Sequence, residues 1–311
     1  MSRCDGAWPR TSTRSDLVSS VPSVSSVVTR FFALALAAAL AGPALAQAPA
    51  PKEGVDVKKS GLMLLPASTV ERTAAQQYGQ LMRSAQQKGA LNRDRAQVER
   101  LRRIARDLIP QSERFNKDAL RWQWEVNLIS SKNVNAFCMP GGKIAFFTGI
   151  VDALKLTDDE VAAIMGHEIA HALLEHGRAR MSEAVLKNVG ISVAAAVFNL
   201  GSLSTELLAQ AANLALTLPY ARKQESDSDL VGMELAARAA YDPRAAVAVW
   251  QKMSALASGK GGGQGGAQGG GQPPQFLSTH PSHATRIKEI EAALPRVMPL
   301  YEAAKGRAAA R

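Results

Sequence analysis

Cysteine is almost missing from this chain: two in 311 residues, Cys4 and Cys138. With so few, no disulfide framework can organise the fold. Aromatic residues make up only 5% of the composition. No Lys/Arg run is interleaved with them, so nothing points to nucleic acid as a partner. A long uninterrupted apolar run is lacking too. The most apolar stretch, 185 to 220, is broken by Lys187, Asn188, Gly190, Asn199, Gly201 and Glu206 and ended by Pro219. It falls short of the ~20 residues a membrane span needs and reads as a buried or interfacial helical hairpin. Acidic residues are outnumbered 27 to 37, which leaves a net charge of +10. Such a surface favours anionic lipid or acidic partners and is also common among exported proteins. What remains, 46% hydrophobic and 21% charged, is the composition of a globular protein.

The N-terminus carries a candidate secretory signal. Arg30 precedes "FFALALAAALAGPALA", an apolar run of the right length that ends in Ala44-Leu45-Ala46, a small-residue cleavage site. Residues 1–46 are therefore expected to be removed and the mature protein to lie in the periplasm. The 29 residues ahead of Arg30 are long for such a leader and rich in Ser and Thr. A misassigned start codon near Val27 or Val28 accounts for them; an organelle transit peptide is the other reading. Cleavage would remove four Arg and two Asp, taking the charge from +10 to +8. Cys138 would then stand alone, as a small buried hydrophobe rather than a nucleophile. No cysteine stands at the cleavage site, which argues against a lipid anchor.

Past the leader, residues 47–66 read as a flexible tether and 67–311 as one domain. The pattern from Ser68 to Leu108 is helical, divided near Gly89 and Asn92 and stopped by Pro110. "RWQWEVNLI" (121 to 129) alternates as a half-buried strand should. Pro140-Gly141-Gly142 makes a turn into a second strand, Lys143 to Thr148, and Gly149 to Leu156 form a short helix or turn. Thr157-Asp-Asp-Glu160 is a capping box, and its acidic residues suit the positive end of a helix dipole. Gly177 is the expected stop, giving a helix of about 19 residues. Further helices are expected at 221 to 240, after the Tyr241-Asp242-Pro243 turn, and at Ala284 to Leu294. The Gly-rich run 259–275 reads as a disordered loop and, lying just ahead of His280, as a hinge for it.

Histidine is scarce as well, five in the whole chain, and this makes "GHEIAH" at 166 to 171 informative. By chance a His-Glu-x-x-His would occur in such a composition about once in 300 chains. On a helix, residues four apart share a face, so His167 and His171 can converge on one ion. Glu168, about 100° around, is badly placed to ligate that ion but able to reach a water activated by it, as a general base should. A catalytic zinc site needs a third protein ligand. The candidates are Glu175, His176, Glu225, Asp227, Asp229, His280 and His283. Glu175 and His176 fall on the same helix rotated off the site, and His176 and His283 read as surface or structural. Glu225 is better placed, near the start of the next helix, with Asp229 one turn on to orient a ligand histidine.

The ordered set "IMGHEIAH", "RKQESDSD" and "STHPSHATRI", with "NAFCMPGGKIAFFTG" upstream, resembles the M48 family of zinc metallopeptidases. That family includes the prenyl-protein proteases, the heat-shock membrane protease HtpX and the periplasmic beta-barrel assembly-enhancing protease. The resemblance runs over roughly residues 70 to 295, without tetratricopeptide repeats or a multi-span membrane domain. It implies one Zn2+ per chain held by His167, His171 and Glu225, with Glu168 as base and Asp229 behind the ligands. His280 is implied near the metal, as a removable fourth ligand or an oxyanion donor; capping the last helix is its plainer role. In zincins, the strand before the metal helix, here 143 to 148, pairs with extended substrate, though it can equally be an ordinary sheet strand.

The fold expected is α+β and mainly helical, zincin-like, with a small sheet beside the metal-binding helix. The function expected is a zinc endopeptidase acting on misfolded or misassembled envelope proteins, in contact with the membrane surface or the outer-membrane assembly machinery. A chaperone-like assembly factor with a structural or gated zinc is the rival; a zinc amidase on cell-wall peptide is a third.

Overall fold

The structure, a computed structural model, describes residues 53–189, 209–213, 220–258, 274–281 and 284–310. The leader, nearly all of the Gly-rich loop, His283 and most of the apolar stretch 185 to 220 lie outside these. The described elements are mainly helical with one three-stranded sheet, as expected. Helices α1 (Ala67–Gln87) and α2 (Arg95–Leu108) come first. Gly89 and Asn92, at φ 61 and 52, take the left-handed turns that separate them. Asp94 starts α2 by accepting from the Gln97 N–H.

The sheet is made of β1 (Glu125–Ile129), β2 (Ala136–Met139) and β3 (Lys143–Phe147), in the order β1-β3-β2. β1 runs parallel and β2 antiparallel to β3. The strand is shorter than its alternation suggests. Residues 117–121 form a 3₁₀ turn, and both tryptophans precede the strand. Their indole N–H groups find local partners instead: Trp122 donates to Glu71 Oε1 and Trp124 to the Ala119 carbonyl. Trp124 also lies over Gly142, where any Cβ would come within 2.6 Å of the indole. Pro140 and Gly141, the latter at φ 80, turn the chain from β2 into β3 with a Gly142 N–H to Met139 carbonyl bond, the pattern of a type II turn.

After α3 (Thr148–Leu154) comes the central helix α4 (Asp158–Leu173). Both halves of its capping box form: Glu160 N–H donates to Thr157 Oγ1, and Thr157 N–H to Glu160 Oε2. Every residue from Glu160 to Leu173 is buried, so α4 is covered all round and forms the axis of the core. It does not stop at Gly177. The chain leaves the helix after Leu173, Glu175 takes φ 58, and α5 (His176–Val189) begins at once. A left-handed glutamate is costly; here its carboxylate is tied to Lys59 and Arg178, which offsets the strain.

α6 (Arg222–Arg238) crosses α4 at closest approach. A Cβ on Gly166 would sit 2.6 Å from the Gly232 carbonyl oxygen, and one on Gly232 would sit 2.5 Å from the His167 nitrogen. Backbone meets backbone there, and only glycine allows it. Gly232→Ala should therefore force the two helices apart and destabilise by about 1–3 kcal/mol. A thermal melt that coincides with the wild type would show that this contact does not set the spacing.

α7 (Ala245–Ala257), α8 (Gln275–Thr279) and α9 (Ala284–Ala309) complete the domain. α9 runs well past Leu294, through Pro295 and Pro299. Each proline removes a helical N–H, yet Ile290, Ala293, Val297, Tyr301 and Ala304 keep one buried stripe at helical spacing along its length. The stretch 53–66, the described part of the segment read as a tether, lies against this body. Val55 and Leu65 are buried, Gly54 N–H donates to the Arg296 carbonyl, and Val55 N–H to Glu234 Oε2. Among the described residues no helix is long and apolar enough to cross a membrane.

Candidate metal centre

α4 carries His167, Glu168 and His171 into the core, α6 brings Glu225 and Asp229 against them, and His280 arrives at the end of α8. One ligand atom from each of His167, His171, Glu225 and His280 lies within 4.8 Å of all the others, and all four residues are buried. His167 Nε2 is 3.1 Å from His171 Nε2 and 3.3 Å from His280 Nδ1. Glu225 Oε1 is 3.4 Å from His171 Nε2 and 3.0 Å from His280 Nδ1, and Glu225 Oε2 is 3.7 Å from His167 Nε2. Four ligands in tetrahedral array around zinc at ordinary bond lengths are separated by about 3.3 Å. The spacings fit that figure.

Charge gives the same answer. Glu168, Glu225 and Asp229 are buried carboxylates, and Arg286 is the buried guanidinium among them. The excess of negative charge in a water-poor site is what a divalent cation would neutralise. The cluster is thus positioned to coordinate one zinc ion per chain. Asp227, another sequence candidate, is turned away and paired with Lys223.

Around the ligands several polar groups are set by close neighbours. Asp229 Oδ1 lies 2.9 Å from His167 Nδ1, the far side of that ring, where a carboxylate fixes the tautomer of a ligand histidine. Trp250 Nε1 donates to the same oxygen at 3.2 Å. Glu168 faces the Cys138 backbone on β2, while its Oε1 has no hydrogen-bond partner among the described residues and lies 3.5 Å from His280 Nε2. Burial raises the Glu168 carboxyl above the usual range, against the pull of His280 and His167. Burial opposes the charged form of His280 as well, but Glu168 and Glu225 outweigh it and raise its pKa. Cys138 is buried and burial pushes its thiol up, so it is no nucleophile.

Matches to known proteins agree with this geometry. The model of peptidase family M48 matches residues 95–294, more than half of the chain. The chain belongs to that family. Among its relatives, the mitochondrial metalloendopeptidase OMA1 of Schizosaccharomyces pombe is 37% identical over 174 residues, 56% of this chain and 47% of that protein. The metalloprotease LoiP of Escherichia coli is 29% identical over 161 residues, 51% and 58% of the two chains. A Vibrio cholerae protein named as a beta-barrel assembly-enhancing protease is 26% identical over 202 residues, 59% and 39%. The match spans about half the length of these relatives. They divide between mitochondrial and bacterial proteins, so the kinship seen in the sequence is with the M48 family as a whole rather than with HtpX or the assembly-enhancing protease in particular.

Two buried residues of this M48 domain escaped the sequence reading. Arg286 is 1% exposed and holds three things at once. Its guanidinium donates to Glu225 Oε2 at 2.6 Å, to both Asp229 oxygens, and to the Pro281 carbonyl beside His280. It also lies 3.7 Å over the Trp250 ring. Its signal was an arginine four residues before Ile290, on the apolar stripe of the last helix. The other is His176, expected at the surface or rotated off the site. It is fully buried, with Nδ1 3.0 Å from His171 Nδ1, and burial pushes its pKa down to about 3. The helix break at Glu175 is the reason, since spacing rules assume an unbroken helix.

The sheet also departs from expectation. β3, the strand of 143 to 148, lies in the centre with both edges paired, so it has no free edge for substrate. The edge strand next to α4 is β2.

Proposed function

We propose that the chain is a zinc endopeptidase of the bacterial cell envelope, acting on unfolded or misassembled envelope proteins. The observation that carries this is Glu168, a buried carboxylate with an open oxygen beside ligand atoms at zinc spacing. When bound there, zinc supplies the Lewis acidity that polarises a peptide carbonyl and makes water a nucleophile near neutral pH. Glu168 takes the proton from the attacking water and returns it to the leaving amine, and its raised pKa makes that return easier. Asp229 holds His167 in register, and Arg286 holds Asp229 and Glu225.

Extended substrate would add to the free edge of β2. Asn135 and Met139 turn their carbonyls toward β3 and its turn, so by alternation Ala136 and Cys138 present backbone groups on the other side. The Cys138 backbone faces Glu168, which places this edge beside the reacting atoms. Strand addition recognises backbone and tolerates varied sequence, which suits clients that have failed to fold. The candidate secretory signal and the Vibrio relative, named for beta-barrel assembly, support an envelope location, and the basic charge supports contact with an anionic membrane surface.

Metal analysis of the purified mature protein should give one zinc per chain. Glu225→Ala should lose it to a chelator, since the remaining cluster keeps only imidazoles, His280 among them, and the Arg286 guanidinium is left beside the site without the carboxylate it donates to. A Glu225→Ala protein that keeps stoichiometric zinc would remove Glu225 from the ligand set.

A further inference from the structure

Five positions along an unbroken helix is a rotation of about 140°, which would carry residue 176 well off the face of residue 171. The break between α4 and α5 undoes this. With Glu175 at φ 58 and its carboxylate held by Lys59 and Arg178, the chain turns back and sets His176 behind His171. The two Nδ1 atoms end 3.0 Å apart, and Ser228 Oγ on α6 stands 3.4 Å from His176 Nδ1.

The proton count then has one solution. His171 Nε2 faces His167 and Glu225, at 3.1 and 3.4 Å, so it is the atom that meets a metal and must carry no proton. The ring's proton sits on Nδ1, pointing at His176 Nδ1. Two nitrogens this close share a single proton, so His176 must offer a lone pair there and carry its own hydrogen on Nε2. That Nε2 is buried with no hydrogen-bond partner among the described residues.

We propose that His176 is the positioning residue of His171, accepting from its Nδ1–H and fixing both tautomer and ring direction, as Asp229 does for His167. Metal-binding histidines are commonly held by carboxylates or carbonyls. An imidazole is used here for a reason of charge: Glu168, Glu225 and Asp229 already exceed Arg286, and a further buried carboxylate would overdraw what one divalent cation can balance. The inference rests on His171 being a zinc ligand.

Zinc affinity, measured by chelator competition, should fall about 10–100-fold in His176→Phe, which keeps the ring and loses the acceptor. His176→Asn should stay within about threefold of wild type, because its Oδ1 occupies the place of Nδ1 and accepts the same proton. Undiminished affinity in His176→Phe, or equal losses in the two variants, would reduce His176 to core filling. Should His176→Phe fail to fold, 15N shifts of the imidazoles in the zinc-loaded wild type decide the matter. His176, assigned by its absence in His176→Asn, must carry its proton on Nε2; a proton on Nδ1 overturns the proposal. Failure of the wild type to bind zinc would instead sink the ligand reading beneath it.

Discussion

Glu168→Gln should bind one zinc per chain, melt with the wild type, and cleave unfolded casein at least about 10³-fold more slowly. The amide keeps the shape of the side chain and its place against the Cys138 backbone. What it loses is basicity. Water activation needs a group that takes a proton, and expulsion of the amine needs one that gives it back; Glu168, with its open Oε1 next to the ligand atoms, is placed for both. Cleavage of casein at the wild-type rate would end the mechanism proposed here. The same variant separates protease from chaperone: full rescue of a deletion phenotype by Glu168→Gln would mean that clients are held rather than cut. Comparing envelope proteomes with wild type and Glu168→Gln would then name the clients.

The parts of this fold legible in the sequence are those governed by local rules. The capping box at Thr157 forms because its four residues settle it among themselves, and His167 and His171 converge because four helical steps fix their separation. Spacing left the third ligand open between several carboxylates and histidines; resemblance pointed to Glu225. The errors lie where local rules are overridden at a distance. Glycine is a common helix stop, yet α4 ends earlier, at a glutamate kept left-handed by Lys59 from another part of the chain. That one break hid His176. α9 outruns two prolines because its buried stripe continues, and burial was not visible in the sequence. Alternation over 121 to 129 suggested nine residues of strand where five exist, since Trp122 and Trp124 alternate for packing on Glu71, Ala119 and Gly142. Which strand has a free edge was beyond the pattern altogether, because sheet order is decided by pairings distant in sequence.

His280→Ala should raise basal cleavage, including self-cleavage, while zinc stays bound through His167, His171 and Glu225. The ring of His280 reaches the cluster at 3.0 Å from Glu225 and 3.3 Å from His167, distances that fit a fourth ligand. A tetrahedral site with four protein ligands has no open position for water, so the arrangement described is a closed one. It is held from several sides: Phe276 stacks on the imidazole, Tyr220 N–H donates to Thr279, and Arg286 donates to Pro281. Alanine removes the ligand and leaves those backbone ties, so the metal is uncovered without releasing the segment. If the imidazole favours the closed state by about 3 kcal/mol, its loss enriches the open one by about 10²-fold. The opposite sign is as informative. An oxyanion donor removed in the same way would lower turnover by about 10²-fold. Self-cleavage of His280→Ala, followed beside His280→Ala/Glu168→Gln, assigns the activity to this site. An unchanged rate would leave His280 a cap for the last helix and would end the idea of a latent protease.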